Sequence, residues 1–144
     1  MPNLTDALLP DGALVTVEIG YSAVDARQLR MALRPVPPGV AVQALIDSGA
    51  DMSAVDSTAL AGWGLPVQVF VQANVPGAGL RYFRQREVSL TILHPSGLNL
   101  RLGNLTVVEM PLGAMAFQAL IGRDVLALCR FLYDGPAGQF ELGY

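Results

Sequence analysis

The chain of 144 residues contains no lysine, a single cysteine, Cys129, and a single histidine, His94. One cysteine cannot close an intrachain disulfide, and one Cys with one His leaves too few soft ligands for a structural zinc site. A reducing, cytoplasmic compartment is the expected home, with no metal or organic cofactor. Charge is also scarce: charged residues make up 15% of the chain and the net charge is −3. The nine arginines are scattered, so no phosphate-binding surface and no nucleic-acid partner are expected. The first twelve residues carry Asp6 and Asp11 and lack the basic start and apolar run of a secretory leader. Residues 57 to 80 hold no charge at all, yet Gly62, Gly64, Pro66, Pro76, Gly77 and Gly79 make them a poor membrane span. No membrane partner is expected.

What the chain has instead is apolar residues, 52% of the total, enough for one core with some excess to cover a subunit interface. The length fits a single domain over residues 1–144, with its core at about 13–143. Residues 14 to 19 alternate as a half-buried strand, with Val15, Val17 and Ile19 on one face. Residues 22 to 34 fit either a short helix or an irregular excursion, ended by Pro35, Pro37, Pro38 and Gly39. Residues 40 to 46 read as a buried strand. Ser53 followed by Asp56 resembles a capping box, which predicts a helix of about two turns over 54–61. Residues 67–73 and 80–93 read as strands joined by a long hairpin turn at Asn74, Val75, Pro76, Gly77, Ala78 and Gly79. Further strands are expected at 98–102, 105–110 and 119–122, a helix over 123–129, and a C-terminal hairpin around residues 134–138.

The chemistry centres on Asp47. It follows an apolar strand directly and precedes Ser48, Gly49 and Ala50, so its carboxylate is held rigidly at the end of a sheet among small neighbours. Peptide hydrolysis by two carboxylates sharing one proton needs such an arrangement: one activates a water while its protonated partner polarises the scissile carbonyl. One such Asp per chain implies two chains. Gly49 lets backbone N–H groups approach the carboxylate, Ser48 offers a hydroxyl to the facing loop, and Ala50 leaves room for substrate. The plainer alternative makes Asp47 a turn carboxylate capping its own loop.

The run Ala44-Leu45-Ile46-Asp47-Ser48-Gly49-Ala50-Asp51 resembles the active-site motif of the retropepsin-like aspartic proteases. Ala119-Leu120-Ile121-Gly122-Arg123-Asp124 resembles their second motif, an apolar strand, Gly, Arg and then Asp or Asn at a helix start. The order and separation of the two fit the family, and Tyr133-Asp134-Gly135 with Gly138 and Phe140 is similar to the end of its small bacterial members. The resemblance covers roughly residues 13 to 143. It implies an all-β barrel with one or two short helices, forming half of a two-fold active site in a homodimer that cleaves a peptide or protein substrate. It further implies Asp47 as the catalytic carboxylate, Asp51 near the substrate backbone and forming a partly buried pair with Arg123, and residues 74–79 as a flap over the site. Asp124 is expected to cap the helix that begins near Gly122. The chain departs from the family in having Ser48 where Thr is commoner, Pro76 in the flap turn, and a longer segment at 20–39. A catalytically silent dimerisation or peptide-binding module on the same fold is the alternative function. Gly77 and Gly79 also fit ordinary hairpin glycines, and Asp51 with Arg123 a purely structural pair.

Overall fold

A computed structural model of the chain describes residues 1–65 and 70–144. Ten strands and two short helices follow in order: β1 (Asn3–Ala7), β2 (Leu14–Tyr21), α1 (Ala23–Met31), β3 (Val40–Ile46), β4 (Ala54–Asp56), β5 (Phe70–Val75), β6 (Gly79–Ile92), β7 (Leu100–Met110), β8 (Ala119–Ile121), α2 (Arg123–Leu126), β9 (Arg130–Asp134) and β10 (Gln139–Gly143). The fold is all-β, as the alternating patterns predict.

Six strands close a barrel in the order β2-β3-β8-β4-β7-β6, with β6 returning to pair with β2. Closure removes the edges that an open sheet would expose. Most neighbours are antiparallel, but β3 with β8 and β4 with β7 run parallel. The interior is filled by aliphatic side chains, among them Val17, Ile19, Ala44, Val88, Leu90, Ile92, Val107 and Ile121. In β2 the alternation places Val15, Val17 and Ile19 inside and Glu18 outside. A second sheet, β1-β10-β9, packs Leu4, Phe140 and Leu142 against the same core.

The N-terminal strand β1 pairs with β10 from Asn3↔Gly143 to Ala7↔Gln139. The ambiguous segment after β2 is helical. Ser22 caps α1 by accepting from the N–H of Asp25 at 3.0 Å. The helix ends with the Arg34 N–H on the Leu29 carbonyl at 2.8 Å and the Leu33 N–H on that of Arg30 at 3.0 Å. These bonds make a Schellman ending whose left-handed residue is Leu33, at φ 55°, where glycine is usual.

Three expectations are corrected. Residues 54–61 do not form a helix: Ala54–Asp56 is strand β4, wedged between β7 and β8, and turns follow it. Burial between two strands satisfies this backbone better than an isolated two-turn helix would. The helix after Gly122 covers only Arg123–Leu126, with turns to Cys129. The expected strands at 98–102 and 105–110 are one strand, β7. Gly103 and Asn104 lie between Leu102↔Leu90 and Leu105↔Val88, two residues opposite the single Ser89. That is a β-bulge, which bends a strand without ending it. The strand expected over 67–73 is observed from Phe70 onward; residues 67–69 lie outside the described residues.

Candidate active site

Asp47 lies at the C-terminal end of β3, where its N–H donates to the Ile121 carbonyl at 2.9 Å. Its Oδ1 accepts the Gly49 N–H at 2.9 Å, and its carbonyl accepts the Ala50 N–H at 3.2 Å. A Cβ at Gly49 would sit 3.1 Å from Oδ1, so a larger residue there would crowd the carboxylate. Adjacent parallel strands thus set the aspartate beside the second motif: β3 pairs Ala44, Leu45 and Ile46 with Ala119, Leu120 and Ile121.

The two motifs are locked together below this loop. Ser53 donates its hydroxyl to Asp124 Oδ1 at 2.7 Å, its N–H donates to Asp124 Oδ2 at 2.9 Å, and its Oγ accepts the Gly122 N–H at 3.0 Å. A Cβ at Gly122 would lie 2.6 Å from the carbonyl carbon of Met52, so only glycine fits against that backbone. The Arg123 N–H donates to the Ala50 carbonyl at 2.9 Å, and its guanidinium donates to the Ser48 carbonyl at 3.1 Å. Arg123 also forms an ion pair with Asp51, as expected. The pair is more open than expected, with side chains 56% and 81% exposed, because both lie at the rim of the loop and not beneath it. Asp124 caps α2 only through the Val125 N–H at 2.9 Å; the N-cap residue is Gly122.

Sequence reasoning missed Ser53 as part of this site, assigning it to a helix cap. Its two-residue offset from Asp51 and the carboxylate at Asp124 were the available signals. It missed Asp56 as well, a buried acid 1% exposed. Asp56 accepts the Leu112 N–H at 2.6 Å and the Thr58 hydroxyl, fixing the loop that runs from β7 to β8. Burial raises its pKa, but these bonds and the Thr58 and Ser57 backbone N–H groups outweigh burial and hold the carboxyl below its ordinary value of 3.8.

Over the Asp47 loop stands the β5–β6 hairpin. Ala78 N–H donates to the Val75 carbonyl at 3.0 Å, with Pro76 and Gly77 (φ 79°) at the centre of the turn. Pro then Gly with positive φ suits a type II turn, which explains the proline. Val71, Ala73 and Val75 alternate toward the loop, opposite Phe83, Arg81 and Gly79. Between hairpin and loop lies a cleft of about 810 Å³ lined by Asp47, Gly49, Ala50, Asp51, Met52, Asn74, Val75, Pro76, Phe83, Met110 and Leu120, among others. Behind the hairpin, Arg86 pairs with Glu109 at 2.8 Å and donates to the Leu65 carbonyl, anchoring β6 to the segment that follows β4.

His94 bonds locally, accepting the Ser96 N–H at 3.0 Å, and its other ring nitrogen meets the Asn3 carbonyl at 3.2 Å. Burial pushes the Cys129 thiol up, away from a reactive thiolate. Among the described residues, no three His, Cys, Asp or Glu side chains gather as a metal site, and no helix is long and apolar enough to cross a membrane.

No family model and no curated protein sequence matches the chain. Among solved structures it is similar to a retropepsin-like aspartic protease from Rickettsia conorii, at 13% identity and TM-score 0.57, covering 99% of this chain and 91% of that one. It is also matched to the retroviral protease-like domain of Ddi1 from Leishmania major, at 18% identity and TM-score 0.43, covering 85% and 82%. The first of these matches establishes a retropepsin-like fold over nearly the whole chain.

Proposed function

We propose that this chain is one domain forming half of an aspartic endopeptidase, completed by a second copy that contributes its own Asp47. The observation that carries the reading is the position of Asp47: it forms part of a large, mainly apolar cleft in which the other acid, Asp51, is already paired with Arg123. A single carboxylate cannot act as acid and base on the same carbonyl at once. Two Asp47 side chains across a two-fold axis can, because adjacent like charges split their pKa values and share one proton.

In this mechanism the ionised Asp47 takes a proton from a water held between the two, and the oxygen attacks the scissile carbonyl carbon. The protonated Asp47 gives its proton to the carbonyl oxygen, forming a neutral gem-diol. The gem-diol returns a hydroxyl proton to the second carboxylate as the first protonates the amide nitrogen, and the C–N bond breaks. Ser48 and Gly49 shape the loop, with Ser48 bonding to the partner's loop. Residues 74–79 act as the flap, Asn74 and Ala78 flanking the tip, closing over an extended peptide and excluding water. The core residues 13–143 carry the site, Leu120, Ile121, Gly122 and Asp124 supporting it from below.

The test is cleavage of a denatured protein mixture from acidic to neutral pH by wild type and Asp47→Asn, with light scattering on both. Cleavage by a wild-type dimer, abolished in an equally dimeric variant, supports the reading. Dimers that never cut indicate a silent peptide-binding module instead.

A further inference from the structure

The two faces of the β5–β6 hairpin differ. Alternation sets Phe70 on β5 and Arg84, Tyr82 and Leu80 on β6 on the face turned from the cleft, while Gln72 and Asn74, at the same parity on β5, also border the cleft. Three of these are large and apolar and lie open to solvent: Phe70 is 64% exposed, Leu80 61% and Tyr82 72%. They form a contiguous strip, since Leu80 and Tyr82 are two apart on one strand and Phe70 lies diagonal to Tyr82 on the other. The cleft does not use them.

Two further features surround the strip. Among the described residues β5 pairs with β6 alone, so its other edge presents open backbone donors and acceptors. Proteins usually blunt such an edge with charge or proline, yet Phe70–Val75 contains neither. Charge is also segregated: residues 57–86 hold three of the nine arginines and none of the twelve acids. Arg86 is committed to Glu109 and Arg81 lies on the cleft face opposite Ala73, which leaves Arg84 exposed on the same face as the strip.

We infer that the outer face and free edge of the β5–β6 hairpin dock an extended acidic polypeptide segment, which adds to β5 as a strand and seats apolar side chains on Phe70, Leu80 and Tyr82. Strand addition satisfies the open edge, alternate apolar residues of the segment cover the strip, and an Asp or Glu of the segment meets Arg84. Exposed aromatics beside arginine have the composition that dominates binding energy at protein interfaces. An anionic membrane would meet Arg84 but not the backbone edge, and the rest of this chain, which holds every acid, would be repelled from it. The surface is separate from the cleft, so its occupation does not depend on peptide hydrolysis.

The experiment uses the full chain carrying Asp47→Asn and a fluorescein-labelled peptide library in which Asp or Glu alternates with Val, Leu or Phe. A matched library with Lys replaces the acids, and phosphatidylserine vesicles serve as the lipid probe. The expected result is salt-sensitive binding of acidic peptides, weakened about tenfold or more by Tyr82→Ser and by Arg84→Glu. Ala73→Asp on the cleft face leaves it unchanged. Amide exchange in residues 70–75 slows on binding. Equal binding of both libraries, loss only with Ala73→Asp, vesicle binding alone, or no peptide binding overturns the inference. So does protection of residues 70–75 by dimerisation without peptide, which would make a second copy the occupant. Circular dichroism of each variant separates lost binding from lost folding.

Discussion

Ser53 and Asp124, far apart in the chain, share two hydrogen bonds at 2.7 and 2.9 Å directly beneath the Asp47 loop. Ser53 also accepts from Gly122, so one buried hydroxyl satisfies both motifs. Ser53→Ala leaves the Gly122 N–H without its acceptor and takes one of two donors from Asp124 Oδ1, which keeps the Val125 N–H, and is expected to cost roughly 1–3 kcal/mol in urea unfolding. Asp124→Asn keeps one acceptor and is expected to cost less than Asp124→Ala. Equal losses for the two would show that the carboxylate geometry is not what matters.

Leu33 holds a left-handed backbone conformation with its side chain 95% exposed. Replacing it by glycine removes a steric penalty and little packing. Leu33→Gly is therefore expected to stabilise the fold by about 1 kcal/mol, with a matching rise in thermal midpoint. A fall in stability would contradict the Schellman ending of α1.

Asp56 ties stability to pH with a definite sign. Its folded pKa lies below the ordinary 3.8, so the ionised form is favoured in the folded state. The stability it contributes is fully present above pH 3.8 and drains as pH falls from there through the folded pKa. Asp56→Asn is expected to be less stable than wild type at neutral pH, with the gap narrowing below pH 3.8 in a denaturant series. A gap constant with pH would remove Asp56 from the acid response.

The barrel strands were legible because period-two alternation is local: Val15, Val17 and Ile19 declare their face without help from the rest of the chain. The Asp47 loop and the second motif were legible as well, because apolar runs lead straight into Asp-Ser-Gly and Gly-Arg-Asp. Strand β4 was not. Three residues show no periodicity, and a Ser-x-x-Asp spacing suits a helix cap as well as it suits a serine reaching a remote carboxylate. Strand β1 was hidden because only Leu4 of its five residues is buried. Gly103 and Asn104 look like a turn in isolation, and only pairing with β6 makes them a bulge. The openness of the Asp51–Arg123 pair depends on how far the loop stands from the barrel, which no local pattern encodes.

The most direct test of the central claim is activity in mixtures of wild type and Asp47→Asn, equilibrated at fixed total concentration after mild unfolding and refolding. If each site needs two Asp47 side chains, activity follows the square of the wild-type fraction, falling to about one quarter at equal mixing. A fall only to about one half, linear in the wild-type fraction, would mean that each chain works alone and would contradict the shared-carboxylate account.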